Sequence, residues 1–128
     1  MSDIRHQKLA KILVDYSIKV KEEDRVLIKC SSLEGLDLAK EVYKQTLLKK
    51  AFPHLELSSG DLSYFYFKNA NLKQLNSKPE ISLFLARWAD KFVNIVAETN
   101  NRQLANIQPE KILLKAKTAQ PIQDIILK

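Results

Sequence analysis

Ser31 and Ser32 stand where a short apolar run, Arg25 to Cys30, gives way to a helical pattern. Their hydroxyls, together with the free amides of a starting helix, are the donors that hold a phosphate or a carboxylate. A plainer role competes. Ser31 and Glu34 have the S-x-x-E spacing of a capping box, and a Glu34 carboxylate at that helix start would repel an anion. Capping therefore outweighs an anion site. Glu98, Thr99 and Asn100 follow the second apolar run, Phe92 to Ala97, and complete a polar set of Ser31, Ser32, Glu98, Thr99 and Asn100 at the ends of two strands.

Other chemistries are poorly supplied. Cys30 is the single cysteine, so there is neither an internal disulfide nor a C-x-x-C zinc site, and a reducing cytoplasm is the expected setting. Ending a buried strand, Cys30 reads as a small core side chain. His6 and His54 are the only imidazoles and neither lies in an H-E-x-x-H or H-x-E frame, so no metal constellation is written. His54 alternates with Glu56 and is expected on an edge strand facing water. The only glycines are Gly35 and Gly60, which excludes G-x-G-x-x-G and Walker-type phosphate loops as well as a G-x-S-x-G nucleophile elbow.

These residues are placed by alternating helical and strand patterns. Leu9, Ile12, Leu13 and Tyr16 recur at helical spacing and predict a first helix over about residues 4 to 18. Arg25 to Cys30 reads as a buried strand. A second helix follows, with the stripe Leu36, Ala39, Tyr43 and Leu47, an outer face of Lys40, Glu41 and Lys44, and an end near Lys49. Pro53 to Leu57 is a short strand, and 62–69 a helix carrying Tyr64, Phe65, Tyr66 and Phe67. Asn71 to Gln74 starts a helical turn. Ile81, Phe84, Leu85 and Trp88 then form a helix face, and Phe92 to Ala97 is the last strand. Pro109 opens a final helical region that Pro121 kinks or restarts, with Ile122, Ile125 and Ile126 at helical spacing.

Strands separated by helices imply parallel pairing through right-handed crossovers. The expected fold is a single α/β domain over 1–128, a three-layer Rossmann-like sandwich with a small, mostly parallel sheet. With the first strand central, a crevice opens at its carboxyl end, bordered by Cys30 and the polar set above. A chain of 128 residues, 45% apolar, has room for one modest core. No apolar stretch approaches the roughly 18 residues of a membrane span, so membrane insertion is not expected.

Lys plus Arg number 21 against 15 Asp plus Glu, a formal charge of +6. Only Arg5, Arg25, Arg87 and Arg102 are arginines, leaving 21 − 4 = 17 lysines. These are point charges without the planar forks that read bases, so a solvated lysine face outweighs a nucleic-acid site.

Several segments, in order, resemble the amino-terminal domain of the thermophilic metallo-aminopeptidase family, the leucyl aminopeptidases related to aminopeptidase T. They are Lys8 to Ala10, Tyr16 to Lys21, Asp24 to Lys29, Glu41 to Tyr43, Phe65 to Ala70, Ala97 to Asn100, Pro109 to Lys111 and Pro121–Ile122. The resemblance covers practically the whole chain but only the front portion of a family member. It implies an enzyme class that releases amino-terminal residues from peptides, using a pair of divalent metals held by Glu, His, Tyr and Asp in a carboxyl-terminal domain. No position here matches those ligands, so no catalytic or metal-binding residue is carried over and no cofactor is expected in this chain. One departure stands out: Lys50 occupies a place where the family usually has Gly, and a left-handed backbone there would cost Lys about 1 kcal/mol.

The resemblance implies a truncated or stand-alone domain with a scaffold or assembly role. Its outer strands and the apolar Ile122, Ile125 and Ile126 are expected to favour self-association or docking to a separate metal-binding domain, with a peptide as a candidate ligand. Two alternatives remain at this point: a basic module for nucleic acid or another polyanion, and a small-anion binder at the sheet crevice.

Overall fold

The strand Arg25–Cys30 (β1) sits at the centre of a three-stranded parallel sheet of order β2-β1-β3 in the computed structural model, which describes residues 3–96 and 107–126. Before it come α1 (Ile4–Ile12) and a π-helical turn, Leu13–Ser17. After it come a short 3-10 turn, Leu33–Gly35, then α2 (Leu36–Leu48) and β2 (Phe52–Leu57). The helices α3 (Gly60–Asn69), α4 (Leu72–Leu75) and α5 (Glu80–Trp88) precede β3 (Lys91–Ile95), and α6 is Pro109–Ile126. The α/β class, the parallel pairing and the central place of β1 agree with expectation.

The chain divides into two compact units, Met1–Ser58 with Trp88–Glu98 and Ser59–Arg87 with Thr99–Lys128. In the first, Val26, Ile28 and Cys30 point to one face of β1 and join Ala10, Val14, Ala39, Val42, Val93 and Ile95 in the core. Leu27 points to the other face and is only 1% exposed. A strand buried on both faces is what a layered parallel sheet requires, and it explains why the run Val26-Leu27-Ile28 is apolar without alternation.

The helix faces differ from expectation. On α1 and its π turn the buried residues are Ala10 and Val14, whereas Leu9, Ile12 and Tyr16 face outward, Tyr16 at 73% exposure. On α2 the buried positions are Ala39, Val42, Thr46 and also Glu41, which the sequence pattern assigns to the outer face, while Tyr43 and Leu47 are exposed. Small and β-branched residues line the contact between the two helices, which lets their backbones approach closely. The bulkier stripes point away from it. The π turn contributes as well, because its extra residue per turn rotates the residues beyond it relative to a regular helix.

In the second unit Leu83 and Ala86 of α5 pack on Ile122 of α6, with Ile125 and Ile126 against them. The expected stripe of Ile81 and Phe84 is exposed instead. Both faces of α5 carry apolar residues at helical spacing, so periodicity alone does not choose between them. Pro121 lies inside α6, which continues through it. Because Ile122, Ile125 and Ile126 are occupied by this packing, they do not supply a free apolar end.

Lys50 has φ 61, as its place at the end of α2 anticipates. That helix end is a Schellman motif, in which Lys50 N–H donates to Leu47 O at 2.9 Å and Ala51 N–H donates to Thr46 O at 3.2 Å. Lys50 holds the left-handed position that glycine ordinarily takes. Replacing Lys50 with Gly relieves that strain but adds backbone entropy to the unfolded chain, so a net gain of about 0.5–1 kcal/mol is expected. A thermal midpoint that fails to rise would contradict it.

Asp90 ties the start of β3 to the start of β1. Its Oδ2 accepts from Arg25 N at 2.9 Å and from Arg25 Nε at 3.5 Å, and its own N–H donates to Arg25 O at 2.7 Å. The Arg25 backbone N–H first, and then the guanidinium, hold the Asp90 carboxyl below its ordinary range. A lowered carboxyl pKa in the folded state gives a stabilisation present above the unfolded value of about 3.9 and lost as pH falls through the folded one. Asp90→Asn removes that titration. Urea unfolding between about pH 5 and pH 2 is expected to show a shallower loss of stability in the variant than in the parent.

Candidate functional site

The carboxyl ends of parallel strands are where open α/β sheets bind ligands, and the central strand is the point at which the connections diverge to either side. Here a crevice of about 280 Å³ opens at that end, lined by Lys29, Cys30, Ser31, Glu56, Ser58 and Asn94. Its floor is built by register. Lys29 of β1 lies opposite Glu56 of β2 and opposite Asn94 of β3, so the three polar side chains form one row across the sheet. Each is the penultimate residue of its strand.

The polar groups of this row are unequally satisfied. Glu56 Oε2 is shielded from solvent and has no hydrogen-bond partner among the described residues. Ser31 N–H already donates to Ile95 O at 3.2 Å, and Ser58 N–H to Cys30 O at 2.8 Å, so sheet pairing has consumed the amides an anion would need. The crevice offers side chains: one cation, one carboxylate, an amide and two hydroxyls.

Of the residues singled out from sequence, Ser31 lines this crevice. Ser32 does not. It is 2% exposed, it precedes the 3-10 turn without making a side-chain cap, and its Oγ has no partner among the described residues. The capping box expected of Ser31 and Glu34 therefore does not form. The 3-10 turn intervenes before α2, so Ser32 takes the cap position, where its side chain makes no capping bond. Glu98, Thr99 and Asn100 lie outside the described residues. Cys30 borders the crevice, but its thiol is 1% exposed and donates to Ser32 O at 3.1 Å, as a core thiol does. His54 is exposed on β2 and meets Trp88 edge-on, with ring centroids 6.2 Å apart.

Lys29, Glu56, Ser58 and Asn94 escape the sequence reading. The available signal was a polar residue one place before the end of each strand, which gains meaning only when parallel register aligns the three.

Elsewhere, a larger cavity of about 530 Å³ lies between α3 and α4. Its polar groups are largely spent, since Gln74 and Asn71 form a reciprocal capping box and Tyr66 OH donates to Gln74 O at 3.1 Å. Several lysines are likewise engaged: Lys49 pairs with Asp15 at 2.8 Å, Lys111 donates to Phe67 O, and Lys68 and Lys115 lie over the rings of Tyr64 and Tyr66. Among the described residues no three His, Cys, Asp or Glu side chains come together as metal ligands, and no helix is long and apolar enough to cross a membrane.

The family model described as thermophilic metalloprotease (M29) matches residues 2–128. The chain belongs to that family. Among solved structures it is similar to wild-type AmpT from Thermus thermophilus, with a TM-score of 0.76 at 16% sequence identity. That similarity covers 97% of this chain and 32% of the Thermus chain, so this member of the thermophilic metalloprotease family spans about a third of the length of the structure it matches. At such identity the likeness establishes the shared fold. No curated protein matches the sequence significantly.

Proposed function

We propose that this chain serves as the amino-terminal domain of a metal-dependent aminopeptidase, acting in a cytoplasmic setting as scaffold and assembly surface and not as the seat of hydrolysis. The observation that carries this reading is the family match over residues 2–128 of a chain that spans 32% of the Thermus structure.

Two surfaces suit assembly. Among the described residues each of β2 and β3 pairs with β1 alone, leaving an outer edge with backbone donors and acceptors. The outward residues Leu9, Ile12 and Tyr16 add apolar area on α1 and its π turn. The partner is a second copy or a separate metal-binding domain.

The test is an assay of the purified chain with a leucine anilide in the presence of Zn²⁺, Co²⁺ or Mn²⁺. No turnover is expected. Metal-dependent hydrolysis by the chain alone would overturn the reading, and a strictly monomeric sedimentation profile at high concentration would count against the assembly role.

A further inference from the structure

We propose that the crevice at the carboxyl end of the sheet binds a small zwitterion of the free α-amino acid class, its ammonium received by Glu56 and its carboxylate by Lys29. The site lies wholly within the first unit and stands independently of the assembly role.

The first observation is Glu56. It lines the crevice half-buried, and its Oε2 has no hydrogen-bond partner among the described residues, so the carboxylate keeps unused acceptor capacity beside the opening. The second is Lys29. It is directly opposite Glu56 in the β1–β2 register, yet no ion pair joins the two, and both charges remain available to a ligand. The third is Asn94, opposite Lys29 on β3, which adds an amide beside the cation. Ser31 and Ser58 supply hydroxyls at the rim.

Other ligand chemistries fit less well. A simple anion would meet one lysine already offset by a carboxylate, and the nearby amides of Ser31 and Ser58 are spent on Ile95 and Cys30. Among the described residues that line it, a metal ion would find a single carboxylate. A volume of about 280 Å³ falls at the small end of ligand pockets, which suits an amino acid and not a nucleotide. One positive and one negative group in a single row match a molecule that carries both signs.

The test compares L-leucine and L-alanine with two half-ligands, isovalerate and isoamylamine, by calorimetry and by amide chemical-shift mapping of the full chain. The amino acids are expected to bind, with shifts at Lys29, Glu56 and Asn94, and each half-ligand to bind at least about tenfold more weakly. Glu56→Gln and Lys29→Gln are each expected to weaken amino-acid binding about tenfold or more while leaving the thermal midpoint near the parent's. Should either variant fail to fold, Asn94→Ala, at an exposed position, serves in its place and is expected to weaken binding several-fold. Absence of shifts at these residues at about 10 mM amino acid, or half-ligands that bind as well as the amino acids, would overturn the proposal. So would unchanged affinity in the folded variants.

Discussion

Truncation of Ile28 to alanine is expected to lower the unfolding free energy by about 2–5 kcal/mol. Ile28 is fully buried in the middle of β1 and belongs to the same core as Val14 and Val42 on the helices and Val93 on β3. Removing its three outer carbons forfeits both their transfer from water and their contacts, and β1 cannot shift to close the gap because it is held by pairing on both sides. A domain of this size has about 5–15 kcal/mol in total, so the loss is a large share of it. Urea unfolding measures it directly. A change below about 1 kcal/mol would mean that β1 is not the covered centre of the sheet.

Gly35→Val is expected to cost about 3 kcal/mol through crowding. Gly35 sits at the end of the 3-10 turn with φ −86, an ordinary backbone angle, so conformation does not demand glycine. Space does. A Cβ at this position would stand 2.9 Å from Ile95 Cγ2 and 3.2 Å from Cys30 Sγ, closer than buried carbon and sulfur tolerate. Alanine should cost about 1 kcal/mol and the branched side chain more, because its methyls reach into the same wall. The cause can be isolated by pairing Gly35→Ala with Ile95→Ala. Removing Cγ2 opens room for the new Cβ, so the two changes together should destabilise less than their sum. Strict additivity, or a Gly35→Ala variant as stable as the parent, would show that this contact is not what requires glycine.

The backbone plan of the first unit was legible in the linear chain because it depends on local chemistry. Arg25 to Cys30 is apolar at its centre and bounded by the charged run Lys21 to Asp24, so its extent is marked at both ends. Lys50 was marked by the family resemblance instead, since the family usually has Gly at that place and a helix end there takes a left-handed residue. Faces were less legible. Leu9, Ile12 and Tyr16 make as regular a stripe as Ala10 and Val14, and hydrophobicity favours the larger residues. The helix contact selects the smaller ones, because close approach of two backbones rewards low volume.

The crevice shows the division most clearly. Residue order alone pointed to a small parallel α/β sheet, to a resemblance to the thermophilic metallo-aminopeptidase family, and to Ser31 at the mouth of a cleft. Which side chains meet there was settled by folding. Lys29, Glu56 and Asn94 are 27 to 65 positions apart in the chain and each is ordinary within its own strand. Pairing between strands is a long-range choice made by backbone hydrogen bonds, and a shift of one residue would have turned any one of the three to the opposite face.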